Sequence, residues 1–208
     1  MKYDILDIKK QKINDIFIQM LYVNNQSIGG LLNMIVPNKQ YTSLSVAWRK
    51  DLMSQQESAY IQDLLDNRLS VNLPILLCPD DLDFSCTVIV AKVRYLKESV
   101  VWDKIGVVNW KNFKQDKWRT SGYQDYTTWN DGDWKKYGDI YSNLDSDNSD
   151  WHKLWKEEWP EEEKRRIWNY YHPYFNDDNN IDWVINTKYE FNIDEYQQCI
   201  AQCYSVES

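Results

Sequence analysis

The sequence predicts an α+β fold, a mostly antiparallel sheet with a helix at about 55–69 and C-terminal helices packed on it. Three observations carry that prediction. Residues 86–95 and 99–108 are two apolar, β-branched runs separated by the polar pair Lys97-Glu98, the pattern of a hairpin. Residues 55–69 place Ile61, Leu64, Leu65 and Leu69 at helical spacing. Near the C-terminus, Ile193, Tyr196, Cys199, Ile200 and Cys203 share one helical face.

The elements follow in chain order. Residues 14–23 (NDIFIQMLYV) are rich in β-branched and aromatic side chains and read as a strand closed by Asn24-Asn25. Residues 27–36 contain Gly29-Gly30 and end at Pro37, which suits either a short helix or a bent strand. Residues 41–48 alternate Leu44, Val46 and Trp48 with Ser43, Ser45 and Ala47, so a half-buried strand is expected. Ser54 and Glu57 have capping-box spacing at the start of the 55–69 helix. Residues 73–78 are apolar, and Pro79-Asp80-Asp81-Leu82-Asp83 reads as a turn before the 86–95 strand. That strand begins with both faces apolar, which suits a central position in a sheet. Residues 110–151 are polar with scattered Trp and Tyr, so irregular structure is expected. A helix starts at Trp159-Pro160, with acids then bases along the macrodipole, and is expected to stop at Pro173. Asn192 caps a last helix through Tyr204.

The 208 residues read as one domain, 1–208, with a β-rich part to about 109 and a Trp-rich loop and helix part from about 110. The chain carries 11 Trp and 15 Tyr, and several Trp stand beside acids, as at Asp103, Asp133 and Asp150. Those Trp are expected at the core boundary, where indoles also serve protein contacts. The formal charge is −8. Such a field repels phosphate backbones, so direct nucleic-acid binding is disfavoured, while a basic partner is attracted. No apolar run reaches the roughly 20 residues of a membrane span, and none near the N-terminus has the form of a signal peptide. A cytoplasmic setting with reduced thiols is expected.

The motifs fix no chemistry. His152 and His172 both lie among aromatics and belong to no zinc spacing. Cys199 and Cys203 share a helical face, and Cys78 and Cys86 stand too far apart in sequence for the usual structural-zinc spacing, so all four read as buried free thiols. The stretch 145–150 resembles a calcium loop but has Asp150 where Gly is needed and Lys156 where a bidentate Glu is needed. Asp80, Asp81 and Asp83 gather on one turn and could serve as metal ligands or acid/base groups, though Asp is also a natural turn residue. P-loop, dinucleotide and nucleophile-elbow signatures are absent. No catalytic residue, cofactor or metal ligand is therefore assigned from sequence.

The charge run that points to a partner lies at 145–163: Asp145, Asp147, Asp150, Glu157, Glu158, Glu161, Glu162 and Glu163, opposed only by Lys153 and Lys156. Trp151, Trp155 and Trp159 recur every four residues through it and would form one helical ridge with an acidic rim. Asp80, Asp81 and Asp83 form a second acidic patch.

The stretch 78–106, CPDDLDFSCTVIVAKVRYLKESVVWDKIG, together with the acidic balance and aromatic C-terminal part, resembles small immunity proteins of bacterial polymorphic-toxin and contact-dependent inhibition systems. That resemblance implies a non-enzymatic cytoplasmic protein that occludes a cognate, basic toxin domain, often a nuclease. Two other expectations stand beside it: an adaptor or structural protein of a larger assembly, and a metal-dependent hydrolase built on the 80–83 turn with a histidine.

Overall fold

The computed structural model describes residues 2–13, 16–50, 52, 55–113, 130–132, 134–135 and 160–205. It is an α+β fold with mostly antiparallel sheet and helices packed against it. The chain divides into two units: residues 1–110 with 175–208, and residues 111–174. The C-terminal strand and helix thus belong with the first 110 residues.

The first unit opens with a hairpin, β1 (Leu6–Ile13) and β2 (Ile16–Val23), paired from Leu6↔Val23 to Ile13↔Ile16. Asn24 and Asn25 then take φ of 50° and 64° and turn β2 back into the two-residue β3 (Gln26–Ser27). Paired positive φ values are what a tight hairpin turn needs, and Asn tolerates them. Ser27 caps α1 (Ile28–Ile35), accepting from the Gly30 N–H at 3.3 Å. Residues 27–36 are therefore a helix and not a bent strand.

The second sheet has five antiparallel strands in the order β4 (Ser45–Val46), β5 (Asn72–Leu77), β6 (Val88–Tyr95), β7 (Ser99–Val108) and β8 (Ile181–Asn192). Every residue of β5 is buried, and β6 and β7 are buried along most of their length. This is the outcome expected of strands apolar on both faces. The strand expected at 41–48 shrinks to Ser45–Val46, although Tyr41, Leu44, Val46, Ala47 and Trp48 are all buried. Burial on every side, not alternation between core and solvent, explains the apolar pattern there.

Helix α2 (Gln55–Asp66) ends three residues before the expected Leu69. Helix α3 (Pro160–Phe175) passes through Pro173, where the expected stop fails. The ring removes one backbone donor close to the helix end, where little ladder remains to disrupt. Helix α4 (Ile193–Ser205) is capped as expected: Asn192 Oδ1 accepts from the N–H groups of Asp194 and Glu195 at 3.0 and 3.2 Å. It lies against β1, β7 and β8.

The core centres on an aromatic cluster. Trp48 and Trp102 meet edge to face at 6.2 Å, and Phe191 and Tyr196 pack on Trp102 at 5.1 and 6.2 Å. Both indoles are wholly buried, so Trp102 is not a boundary residue despite its neighbour Asp103. Burial of the indole N–H requires a partner. Trp48 Nε1 donates to the Pro74 carbonyl at 2.9 Å, and Trp102 Nε1 to the Tyr196 hydroxyl at 3.3 Å. Among the described residues no helix is long and apolar enough to cross a membrane.

In the second unit, Phe113 packs against Tyr170 and Tyr174 at 5.0 and 4.8 Å, and His172 stacks on Trp168 at 3.7 Å. Burial pushes the His172 pKa down, favouring the neutral ring.

Candidate metal centre

The loop between β5 and β6 gathers the chemistry. Because β5 and β6 pair at Leu77↔Val88, the chain leaves and re-enters the sheet at adjacent points, and the Cys78 N–H donates to the Thr87 carbonyl at 3.2 Å. Cys78 and Cys86 thus stand at the two ends of a closed loop. Eight positions apart in sequence, they become neighbours in space.

The loop is held from inside and out. Phe84 is buried, packs edge to face on Tyr60 and Phe175 at 6.4 and 5.1 Å, and donates its N–H to the buried Glu57 carboxylate of α2 at 2.7 Å. Ser54, the other half of the expected capping box, lies outside the described residues. Asp83 Oδ1 accepts from the N–H and hydroxyl of Ser85 at 2.8 and 2.6 Å. Trp110 Nε1 donates to the Cys86 carbonyl at 3.1 Å. Leu82 takes φ of 46° and donates its N–H to the Cys78 carbonyl at 2.9 Å. A left-handed Leu is costly, and such residues persist where surrounding contacts over-determine them.

The Cys78 and Cys86 sulfurs and an Asp81 carboxylate oxygen lie within 4.8 Å of one another. Cys78 is half-buried, whereas Cys86 and Asp81 are exposed. Burial pushes the Cys78 thiol pKa up, and the hydrogen bond and charge of Cys86 act in the same direction. The Asp80 and Asp81 backbone N–H groups oppose that shift, because they donate to the sulfur and favour its thiolate. Such donors support a sulfur ligand as well as a free thiolate. Cys86 Sγ also lies 3.8 Å from Thr87 Oγ1.

Two thiolates and a carboxylate make a donor set for a borderline-soft divalent cation of the zinc type. Three donors fall one short of a closed tetrahedral site.

The expected turn carboxylates thus separate. Asp81 joins the cysteines, Asp83 caps the turn at Ser85, and Asp80 is exposed. Cys199 and Cys203 are buried, as expected of free thiols, with burial pushing both up to about 12. Cys86 departs from the expectation, being an exposed thiol at a loop end. The sequence signal for this site was a pair of cysteines bracketing a hairpin loop with an Asp three residues into it. That signal becomes specific only once β5 and β6 are paired. Asp145, Asp147, Asp150, Trp151, Trp155, Glu157 and Glu158 lie outside the described residues, as does His152. Glu161 lies in α3, and its side chain is outside the description. Comparison with family models, with curated proteins and with solved structures gives no match to this chain.

Proposed function

We propose that the chain is a metal-dependent protein that binds a zinc-type divalent cation through Cys78, Asp81 and Cys86, with hydrolysis as the chemistry the site suits best. The observation that supports this is the convergence of two sulfurs and a carboxylate within 4.8 Å on an anchored loop. Three protein donors leave a fourth position for water, the pattern of catalytic and not of structural zinc sites. A cation there would lower the pKa of bound water far below its bulk value, to about 7, and supply hydroxide at neutral pH. The exposed position of Asp81 and Cys86 suits a large substrate that approaches from outside better than a small one enclosed in a cleft.

Cobalt(II) titration of the reduced protein tests the binding. The expected result is a thiolate-to-cobalt absorption band that saturates at one equivalent and is displaced by zinc. Cys86→Ser and Asp81→Asn are each expected to weaken binding by about 100-fold or more, since loss of a ligand costs more than the roughly 10–100-fold of losing a hydrogen-bond partner behind one. A reduced, folded protein that shows no such band would remove the proposal. Hydrolysis of an activated phosphodiester or ester by the zinc form, lost in Cys86→Ser, tests the chemistry separately.

A second reading is favoured by the acidic run at 145–163 and by the exposed carboxylates of Asp80 and Asp81. On this reading the chain is an immunity-type inhibitor that covers a basic toxin domain by steric and electrostatic occlusion. Reversing Glu157, Glu158 and Glu161 to Lys is then expected to slow association with a toxin captured from the native host and to flatten its salt dependence. Unchanged association kinetics would count against that surface.

A further inference from the structure

A cavity of about 320 Å³ lies between the C-terminal end of α2, the end of β6 and α4. It is independent of the cysteine loop. Its size falls at the lower end of the range for small-molecule sites, roughly 300–1,000 Å³. Leu65 and Ile200 give it apolar wall, and Arg68, Tyr95, Gln197 and Asp66 line it with polar groups.

Arg68 sits there at a conformational cost. The Leu69 N–H donates to the Leu64 carbonyl at 3.3 Å and the Arg68 N–H to the Leu65 carbonyl at 3.2 Å. These two bonds form a Schellman ending, with Arg68 in the position where Gly is commonest. Its φ is 48°, the left-handed region. The residue there is nonetheless the longest cationic side chain available. Its guanidinium faces the Gln197 amide, which, turned so that Oε1 points to the cation, accepts from Arg68 Nη2 and Nε at 2.5 and 2.8 Å. The Nη1 and Nη2 end of the fork stays open among the described residues, and that end matches a carboxylate.

Tyr95 supplies a second donor. Trp102 Nε1 donates to the Tyr196 hydroxyl at 3.3 Å, and the Tyr95 ring packs edge to face on Tyr196 at 6.2 Å. Tyr95 lines the cavity, and its phenol O–H is a donor that an anion bound there can use. Burial holds the Tyr95 pKa up to about 12, so the hydroxyl keeps that proton, while the charge of Arg68 acts on it in the opposite direction. The guanidinium and the phenol therefore line one cavity. Asp66, whose Oδ1 accepts from Gln62 Nε2 at 2.5 Å, places one negative charge at the rim.

We propose that this cavity binds a small carboxylate with a short apolar body, the carboxylate on Arg68 and Tyr95 and the body against Leu65 and Ile200. A carboxylate that also carries an ammonium group shares this chemistry and gains Asp66 as a partner.

Titration with 3-phenylpropionate, followed by amide chemical shifts, tests it. L-Phenylalanine and the neutral 3-phenylpropanol serve as companion probes. Saturable shifts are expected at Leu65, Tyr95 and Ala201 with either carboxylate. The propanol is expected to bind about tenfold more weakly or worse, since it lacks the charge that the fork recognises. Binding is expected to fall about tenfold or more in Arg68→Gly and severalfold in Tyr95→Phe. The preference between phenylalanine and phenylpropionate reports whether Asp66 engages an ammonium, and either order supports the proposal when binding depends on Arg68. Arg68→Gly is expected to melt at or above the parent temperature, because Gly relieves the left-handed backbone. The proposal is overturned if both carboxylates leave the spectrum unchanged, if the propanol binds equally well, or if folded Arg68→Gly binds like the parent.

Discussion

Single residues in this protein often settle whether two segments can meet. Gly29 is the sharpest case. A Cβ there would run into the Tyr41 carbonyl oxygen and lie 3.1 Å from the carbonyl carbon. Both are backbone atoms, so no side-chain rotation relieves the contact. Gly29 is itself buried in α1, and Tyr41, also buried, donates its N–H to Asn33 Oδ1 at 2.5 Å, which holds the 36–41 turn against the helix. Gly29→Ala would normally stabilise a helix, by roughly 0.5–1 kcal/mol. Here overpacking against backbone outweighs that gain, and a net loss of about 1–3 kcal/mol is expected. Gly30→Ala is the control: its Cβ would meet only Ser27 atoms at 3.6 and 3.8 Å, and its stability should match or exceed the parent's. Urea melts of the two variants read the difference. Equal midpoints would mean that α1 and the 41–42 segment do not touch as described.

At the scale of elements, legibility depended on how far burial simplifies a pattern. Strands β6 and β7 were readable because both faces are apolar, and α2 because Ile61, Leu64 and Leu65 share a stripe that is buried. The same total burial misled at 41–48, where Tyr41, Leu44, Val46, Ala47 and Trp48 are packed without forming a long strand. Strand β8 went unread although Ile181, Trp183, Ile185, Tyr189 and Phe191 alternate. Asp182, Val184, Asn186, Lys188, Glu190 and Asn192 fill the intervening positions, so Val184 there and Thr187 among the apolar set blur the alternation, and β8 pairs with β7, more than 70 residues earlier, as at Val107↔Asp182. A short window cannot weigh a partner that distant. Strand β1 hid for a similar reason, since Lys9, Lys10, Gln11 and Lys12 dilute its apolar face. The metal candidate was half legible. Asp81 stood out as part of an acidic turn, but Cys78 and Cys86 acquire meaning only from the Leu77↔Val88 pairing that brings the loop ends together. The Arg68 cavity was not legible at all, because it depends on a helix ending that places a cation opposite Tyr95 and Gln197 from remote parts of the chain.

At the scale of the whole chain, the first unit is discontinuous, and something must fasten its returning segment, 175–208, to the sheet formed by residues 1–110. A polar latch does so at the point of return. The Asn72 N–H donates to Asn176 Oδ1 at 3.0 Å, and Asn72 Nδ2 donates to the Phe175 carbonyl at 2.8 Å and to Asp178 Oδ1 at 3.2 Å. Lys92 Nζ closes the set on Asp178 Oδ2 at 2.6 Å. The partners stand 86 to 106 residues apart in sequence, so the latch forms only when the chain has closed. The Lys92 hydrogen bond, with help from Asn72, holds the Asp178 carboxyl below its ordinary pKa, against a smaller opposing effect of burial. A carboxylate depressed in the fold stabilises it above the unfolded value of about 3.9, and that stabilisation disappears as pH falls through the lower folded value. Asp178 and Lys92 side chains are 44% and 37% exposed, so solvent screening limits the ionic part to about 0.5–1 kcal/mol. Asp178→Asn is therefore expected to be less stable than the parent by about that amount at pH 7, and the gap should narrow steadily as the protein is titrated below about pH 4. Guanidinium is unsuitable for this measurement because it is itself a salt that screens the pair, so urea melts across pH should be used. A stability gap that stays constant from neutral pH down to pH 2.5 or so would show that the ionised carboxylate contributes nothing to closure, and that the hydrogen bonds of Asn72 fasten the chain alone.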